Sequence, residues 1–98
     1  MKPVVYHRLA ASELIKSAEF YSGRRPNLGE TFLSAVETTL LVIQRTPDLG
    51  KPSPLGTRSW KTKTFPFRIV YLGQSDRFWI VAVAHLGRKP DYWIRRLR

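Results

Sequence analysis

The chain has no cysteine and only seven acidic residues among its 98. The first absence excludes disulfides and thiolate zinc sites, and it is compatible with a reducing compartment. The second leaves few carboxylates: Glu13, Glu19, Glu30, Glu37, Asp48, Asp76 and Asp91. The four glutamates fall on predicted helices and two of the aspartates on loops, so neither a carboxylate metal site nor two-metal hydrolysis is expected. The expectation is a protein with neither metal nor cofactor. Long apolar runs are missing as well. The longest, "LLVI" and "IVAVA", fall far short of a membrane span, and "MKPVVYHRLAAS" lacks the apolar stretch of a signal peptide. A cytoplasmic protein with no membrane association is therefore expected.

What is present is enough apolar material, 43% hydrophobic and 12% aromatic, for one modest core, and residues 1–98 read as a single domain. Positive charge dominates, with 17 Lys and Arg giving a net charge of +10. It is also unevenly placed. Ten of the basic residues but only two of the acidic ones, Asp76 and Asp91, lie from Thr57 onward. A field of one sign over half of a small domain attracts phosphate backbones or an acidic protein partner.

Along the chain, "PVVYH" is a short β-branched and aromatic run that fits a first strand starting after Pro3. "LAASELIKSAEFYSG" places Ala11, Leu14, Ile15, Ala18 and Tyr21 at helical spacing, with Gly23 and Pro26 as the stop. Asn27 is placed to cap a second helix, with Glu30 in capping-box position. Leu28, Phe32, Ala35, Val36, Leu40 and Ile43 form its apolar stripe, which ends at Thr46-Pro47 because proline disfavours helix in the residue before it. So short a turn between two helices predicts an antiparallel hairpin.

"PDLGKPSPLG" reads as a long loop, and beyond it the period becomes extended. "TRSWKTK", "FPFRIVYL" and "RFWIVAVAH" read as three strands, joined through Thr64 and "GQSD" as antiparallel hairpins. Phe65, Phe67, Ile69 and Tyr71 share one face of the second strand, Arg68 and Val70 the other. In the third, Phe78, Ile80, Ala82 and Ala84 alternate with Trp79, Val81, Val83 and His85, so both faces need cover. The helices can cover one, and Tyr92, Trp93, Ile94 and Leu97 of the tail part of the other. The expected fold is α+β: an N-terminal strand, a helical hairpin, and a three-stranded antiparallel meander with a short basic tail.

In that order and at that length the chain resembles the RelE/ParE toxin superfamily of bacterial toxin–antitoxin modules. "ASELIKSAEFY" is similar to the first helix of that superfamily and "NLGETFLSAVETTLLVIQRTPDLG" to its second helix and exit. "FPFRIVY" is similar to the central strand and "VAVAHLGRKPDYWIRR" to the last strand and tail. The variant with "RKPDYW" looks most like ParE-like, plasmid-stabilisation toxins. The resemblance implies a toxin neutralised by a small acidic antitoxin, and an action on either of two targets. ParE-like proteins inhibit DNA gyrase, the slightly favoured expectation here, whereas RelE-like proteins cleave messenger RNA on the ribosome. Lys61, Lys63, Arg68 and Tyr92 look similar to four residues of the cleaving branch. The place of a fifth, an arginine just past the last strand, is held by Leu86, with Arg88 later.

The residues themselves allow more than one chemistry. RNA cleavage through its own 2′-hydroxyl needs no metal, only groups that take and give a proton and cations for the phosphate. Arg68, His85, Arg88 and Tyr92 are the catalytic candidates, and imidazole is the side-chain type that exchanges protons near neutrality. Arg58, Lys61, Lys63, Lys89, Arg95 and Arg96 are the candidates for contacting nucleic acid or another target. Each has a plainer role open to it. His85 can order the turn after its strand, Lys61 and Lys63 can protect an edge strand, and Tyr92 and Trp93 can be packing anchors. Arg68, a charge on a mostly apolar strand, needs a partner or a ligand, and Glu13 and Asp91 are candidates for the partner. A basic domain that only binds nucleic acid is the third functional reading.

Overall fold

The computed structural model describes residues 1–98. The chain runs β1 (Val4–Tyr6), α1 (Arg8–Arg24), α2 (Leu28–Arg45), β2 (Lys51–Pro52), β3 (Arg58–Lys61), β4 (Phe67–Gly73) and β5 (Phe78–His85), with short 3₁₀ turns at Pro47–Leu49, Pro54–Gly56 and Ile94–Leu97. The sheet is five-stranded and mixed, in the order β1-β5-β4-β3-β2. The expected meander β3-β4-β5 is its centre. Two strands flank it: the expected N-terminal strand β1 lies parallel along β5, and β2, which was not expected, adds to β3 out of the segment read as a loop. A proline is tolerated in β2 because that strand is the sheet's edge and needs no outward donor.

α1 starts on His7, whose Nδ1 accepts the Leu9 N–H at 2.9 Å. Gly23 does not stop it. The helix runs on to Arg24, and Arg25 is extended, as the residue before Pro26 must be. Ala10 is the residue of α1 buried in the core, while Ile15 faces solvent. Asn27 departs from the expected capping box: it sits in the left-handed region at φ 66° and its side chain caps nothing. It turns the chain between the helices, a conformation asparagine tolerates better than most residues. α2 buries Phe32, Val36, Thr39 and Ile43 at helical spacing, with Leu40 half-buried beside them. Gly29 lies where the helices cross. A Cβ there would meet Ser22 Oγ at 2.0 Å and the Ala18 carbonyl at 2.6 Å, so only glycine permits the approach.

The hairpin covers one face of the sheet, where Phe32, Phe65, Phe67 and Tyr21 stack edge-on and tilted with centroids 4.9–6.3 Å apart. Strict alternation along β5 does not hold. Val70 pairs with Ala82 but Tyr71 with Ile80, so Val81 is an extra residue, a bulge. Phe78 and Ile80 face the helices, and past the bulge Val83 does so. Val70, Val81, Ala82 and Ala84 lie in the second cluster under Trp93. β3 is shorter than read. The turn after it runs through Lys63 and Thr64, pinned by the Thr62 hydroxyl donating to the Phe65 carbonyl at 2.8 Å. No helix is long and apolar enough to cross a membrane.

Candidate target-binding cleft

β1 ends at Tyr6, so beyond Ile80 the outer edge of β5 has no strand beside it. Side chains take over there. The Val83 N–H donates to Glu13 Oε1 at 3.0 Å and the Val81 carbonyl accepts from Arg96 Nη1 at 3.0 Å. Arg96 in turn grips both Glu13 oxygens at 2.9 Å, and the Tyr92 hydroxyl donates to Oε2. One carboxylate on α1 thereby fastens the tail across the sheet edge. Burial would raise the Glu13 carboxyl, but the bonds from Arg96, Tyr92 and the Val83 N–H outweigh it and hold the group below its usual range. Burial first, and then the bond to Glu13, push the Tyr92 hydroxyl well above the ordinary tyrosine range.

So fastened, the tail covers the β5 side of the face opposite the helices and leaves a cleft of about 250 Å³ over β4, β3 and β2. Arg68 rises from its floor on β4. The expected acidic partner is not what it meets: Glu13 is taken by Arg96, and the structure gives Arg68 Nη1 a bond to Ser59 Oγ at 3.1 Å and no ion pair. His85, Arg88, Lys89 and Tyr92 stand on the tail side. The Arg88 guanidinium sits over the Tyr92 ring, its central carbon 3.6 Å from the centroid, and reaches Glu13 at 3.2 Å. The His85 imidazole packs edge-on against Phe67 and its Nδ1 accepts the Gly87 N–H at 2.8 Å, which leaves Nε2 as the donor side.

Four catalytic candidates and Lys89 are thus brought to one cleft. The other target-contact candidates are not. Lys61 and Lys63 line a separate apolar recess against Thr38, Thr39 and Val42 of α2. Arg58 turns toward the β2 connection and donates to the Gly50 carbonyl at 2.9 Å. Arg96 is inside the Glu13 network, and Arg95 is exposed. The sequence reading missed Lys51, Ser53 and Ser59, which line the β2 side of the cleft. Lys51 and Ser53 were hidden by the proline-rich segment around them. Glu13, a candidate partner for Arg68 from the sequence, instead bonds the tail and the edge of β5. No cluster of three or more His, Asp or Glu side chains is placed to hold a metal.

An antiparallel helical hairpin packed on a mixed sheet, with a basic cleft on the opposite face, defines the class. The family profile described as "ParE toxin of type II toxin-antitoxin system, parDE" matches residues 4–90. The chain belongs to the ParE toxin family. Among solved structures it is similar to a chain described as "Chromosomal ParDE TA system from P. aeruginosa", with a TM-score of 0.64 and 19% identity, covering 89% of this chain and 98% of that one. At that identity the likeness is one of fold. No curated protein matches the chain in sequence.

Proposed function

We propose that the chain is the toxin of a type II toxin–antitoxin pair, held inactive by a small acidic antitoxin, and that it acts by binding DNA gyrase, not by cutting RNA. Family membership supports the first part, and so does the net charge of +10, which suits an acidic neutralising partner. Gyrase as the target is supported by the ParE family match, and the observation that counts against cutting RNA is the state of Tyr92. Its hydroxyl is bound to Glu13 and its ionisation is suppressed by burial and by that neighbour, so it is poorly placed to trade a proton with a substrate. Leu86 stands where the cleaving branch is expected to carry an arginine. The RelE-like reading keeps one point in its favour: His85 and Arg68 line the same cleft.

Two assays separate the readings. In the first, purified gyrase supercoils relaxed plasmid with and without the chain. In the second, messenger 5′ ends are mapped after the chain is induced alone in bacteria. The gyrase reading expects blocked supercoiling and DNA damage before translation stops. New messenger ends within codons, with supercoiling untouched, would overturn it in favour of the nuclease.

A further inference from the structure

Lys61 lies where the sheet has an open edge. β4 pairs with β3 as far as Lys61, whereas β2 stops pairing at Ser59, so Lys61 has a strand on one side only. Backbone bonds alternate in direction along an antiparallel strand. The Thr62 N–H donates to the Phe67 carbonyl on β4, so the N–H and C=O of Lys61 point the other way, outward. β2 offers no such edge of its own. Ser53 bonds inward to Thr57, which turns Pro52 outward, and proline has no N–H to give. Beside the open stretch, between β3 and α2, is a recess of about 210 Å³ lined by Ala35, Thr39, Val42 and Trp60. Thr39 has spent its hydroxyl on the Ala35 carbonyl at 2.9 Å, so the lining is apolar. Lys61 and Lys63 border it, both exposed and neither in an ion pair. The turn that carries Lys63 is fixed. Thr64, a β-branched residue, is held there at φ 72°, a conformation such residues rarely adopt and one that marks functional sites.

We propose that the β3 edge and this recess form a strand-docking groove for an extended segment of a partner protein in which apolar and acidic residues alternate. It deepens the antitoxin reading and rests on it only for the identity of the partner. The alternation follows from the two faces of β3. Trp60 packs toward the helices, so Lys61 belongs to the opposite face, and a strand added at Lys61 has the same two faces. Its apolar residues then meet the recess and its carboxylates stand beside Lys61, while its backbone satisfies the outward amide of that residue. Other occupants fit less well. A second copy of this chain pairing edge to edge would bring lysine against lysine, and like charges on facing strands repel. A phosphate backbone answers the lysines, but it fills no apolar recess and has no donor for the Lys61 carbonyl. Lys61 and Lys63 thereby gain a role that needs no chemistry of their own.

The test is an NMR titration of the isotope-labelled full chain with a synthetic capped peptide, Glu-Val-Glu-Leu-Glu-Val-Glu, at up to millimolar concentration. The Lys61 amide is expected to shift and to exchange more slowly with solvent. The same peptide N-methylated at every glutamate keeps its charge but loses the donors that reach Lys61, and it should not bind. Thr38→Trp, at an exposed α2 position on the recess, should weaken binding about ten-fold by filling the groove. Lys61→Gln should weaken it about three-fold, the worth of one cross-strand charge pair, and Arg25→Gln, the same loss of charge elsewhere, should match the parent. Equal binding of the N-methylated peptide would overturn strand addition. Equal losses in Lys61→Gln and Arg25→Gln, shifts confined to the outer face of the hairpin, or no binding at all would overturn the groove. So would a slowly exchanging Lys61 amide in the chain without peptide, since the edge would then be covered by a second copy. The peptide is synthetic and no gyrase is present, so a failed groove is distinct from a failed antitoxin pull-down or supercoiling assay.

Discussion

Glu13 on α1 and Arg96 in the last turn of the chain meet through two parallel contacts, each of 2.9 Å, although 83 residues separate them. Both are largely sheltered, with 14% and 10% of their side-chain surface exposed. The pair stands where β1 stops and the edge of β5 continues, and it supplies that edge with the acceptor and donor that a sixth strand would have given. The tail is therefore held by backbone satisfaction as well as by charge.

Removing one partner of such a pair leaves the other charge sheltered and unpaired. Glu13→Gln is expected to lower unfolding stability by about 3 kcal/mol. Arg88→Ala, at the half-exposed end of the same network, should cost less than about 1 kcal/mol. The pH dependence has a definite sign. The folded Glu13 carboxyl lies below its unfolded value of about 4.3, so its stabilisation is complete above that value and is lost as pH falls through the lowered folded pKa. Urea titrations from neutral to acid pH should show the parent losing stability over this interval and Glu13→Gln losing less. Equal acid sensitivity would remove Glu13 from the account.

Two glycines predict opposite outcomes for one substitution. At Gly29 an added methyl meets backbone as well as a side chain, so Gly29→Ala must push the helices apart and should cost about 1–3 kcal/mol. At Gly23, within α1, nothing lies within 4 Å, and Gly23→Ala should gain up to about 1 kcal/mol from helix propensity alone. Thermal unfolding of the two variants side by side checks both.

Phe32, Val36 and Ile43 were legible because an amphipathic stripe has one period and one interpretation. The β5 bulge was not, since "WIVAVA" is apolar in either register and no polar residue marks where the alternation slips. Asn27 satisfied two rules at once: asparagine suits an N-cap and also the left-handed turn, and the close helix crossing at Gly29 goes with the second. The parallel seat of β1 depends on an edge that only the folded sheet defines. At the cleft, Arg68 announced itself as a charge out of place. That Glu13 had been claimed by Arg96 is a three-dimensional fact, and Lys51 and Ser53 reach the cleft only because a two-residue strand forms in a proline-rich segment.

The aromatic cluster between hairpin and sheet gives a third stability prediction. Phe32 is fully buried against Tyr21, Phe65 and Phe67, so Phe32→Ala should cost about 3–5 kcal/mol. Ile15, 58% exposed on α1, belongs to the apolar spacing of the sequence but not to the core, and Ile15→Ala should change stability by no more than about 0.5 kcal/mol. Chemical denaturation of both measures the difference directly. A large loss at Ile15 would mean that the exposed face of α1 is covered in solution.

The last prediction concerns how the proposed antitoxin is captured. The chain carries its +10 charge mostly from Thr57 onward, and an acidic segment approaching that half is drawn in over a distance set by ionic strength, about 10 Å at 0.1 M salt. Once docked, it is held by whatever apolar contacts it makes, and the surface offers such anchors on the hairpin, where Ile15, Phe20, Leu33 and Leu41 are exposed. Steering depends on the long-range field and retention on short-range burial, so salt should act on the two rates unequally. With the acidic product of an adjacent gene immobilised, surface plasmon resonance from 50 to 500 mM salt, roughly one Debye length shrinking to less than half, should show the association rate falling several-fold or more while dissociation changes little. The variant Arg25→Gln should lower the association rate slightly, as any lost charge does, whereas Phe20→Ala should speed dissociation and leave association unchanged. A dissociation rate as salt-sensitive as association would mean that the complex is held by surface charge alone, and the hairpin would then have no part in neutralisation.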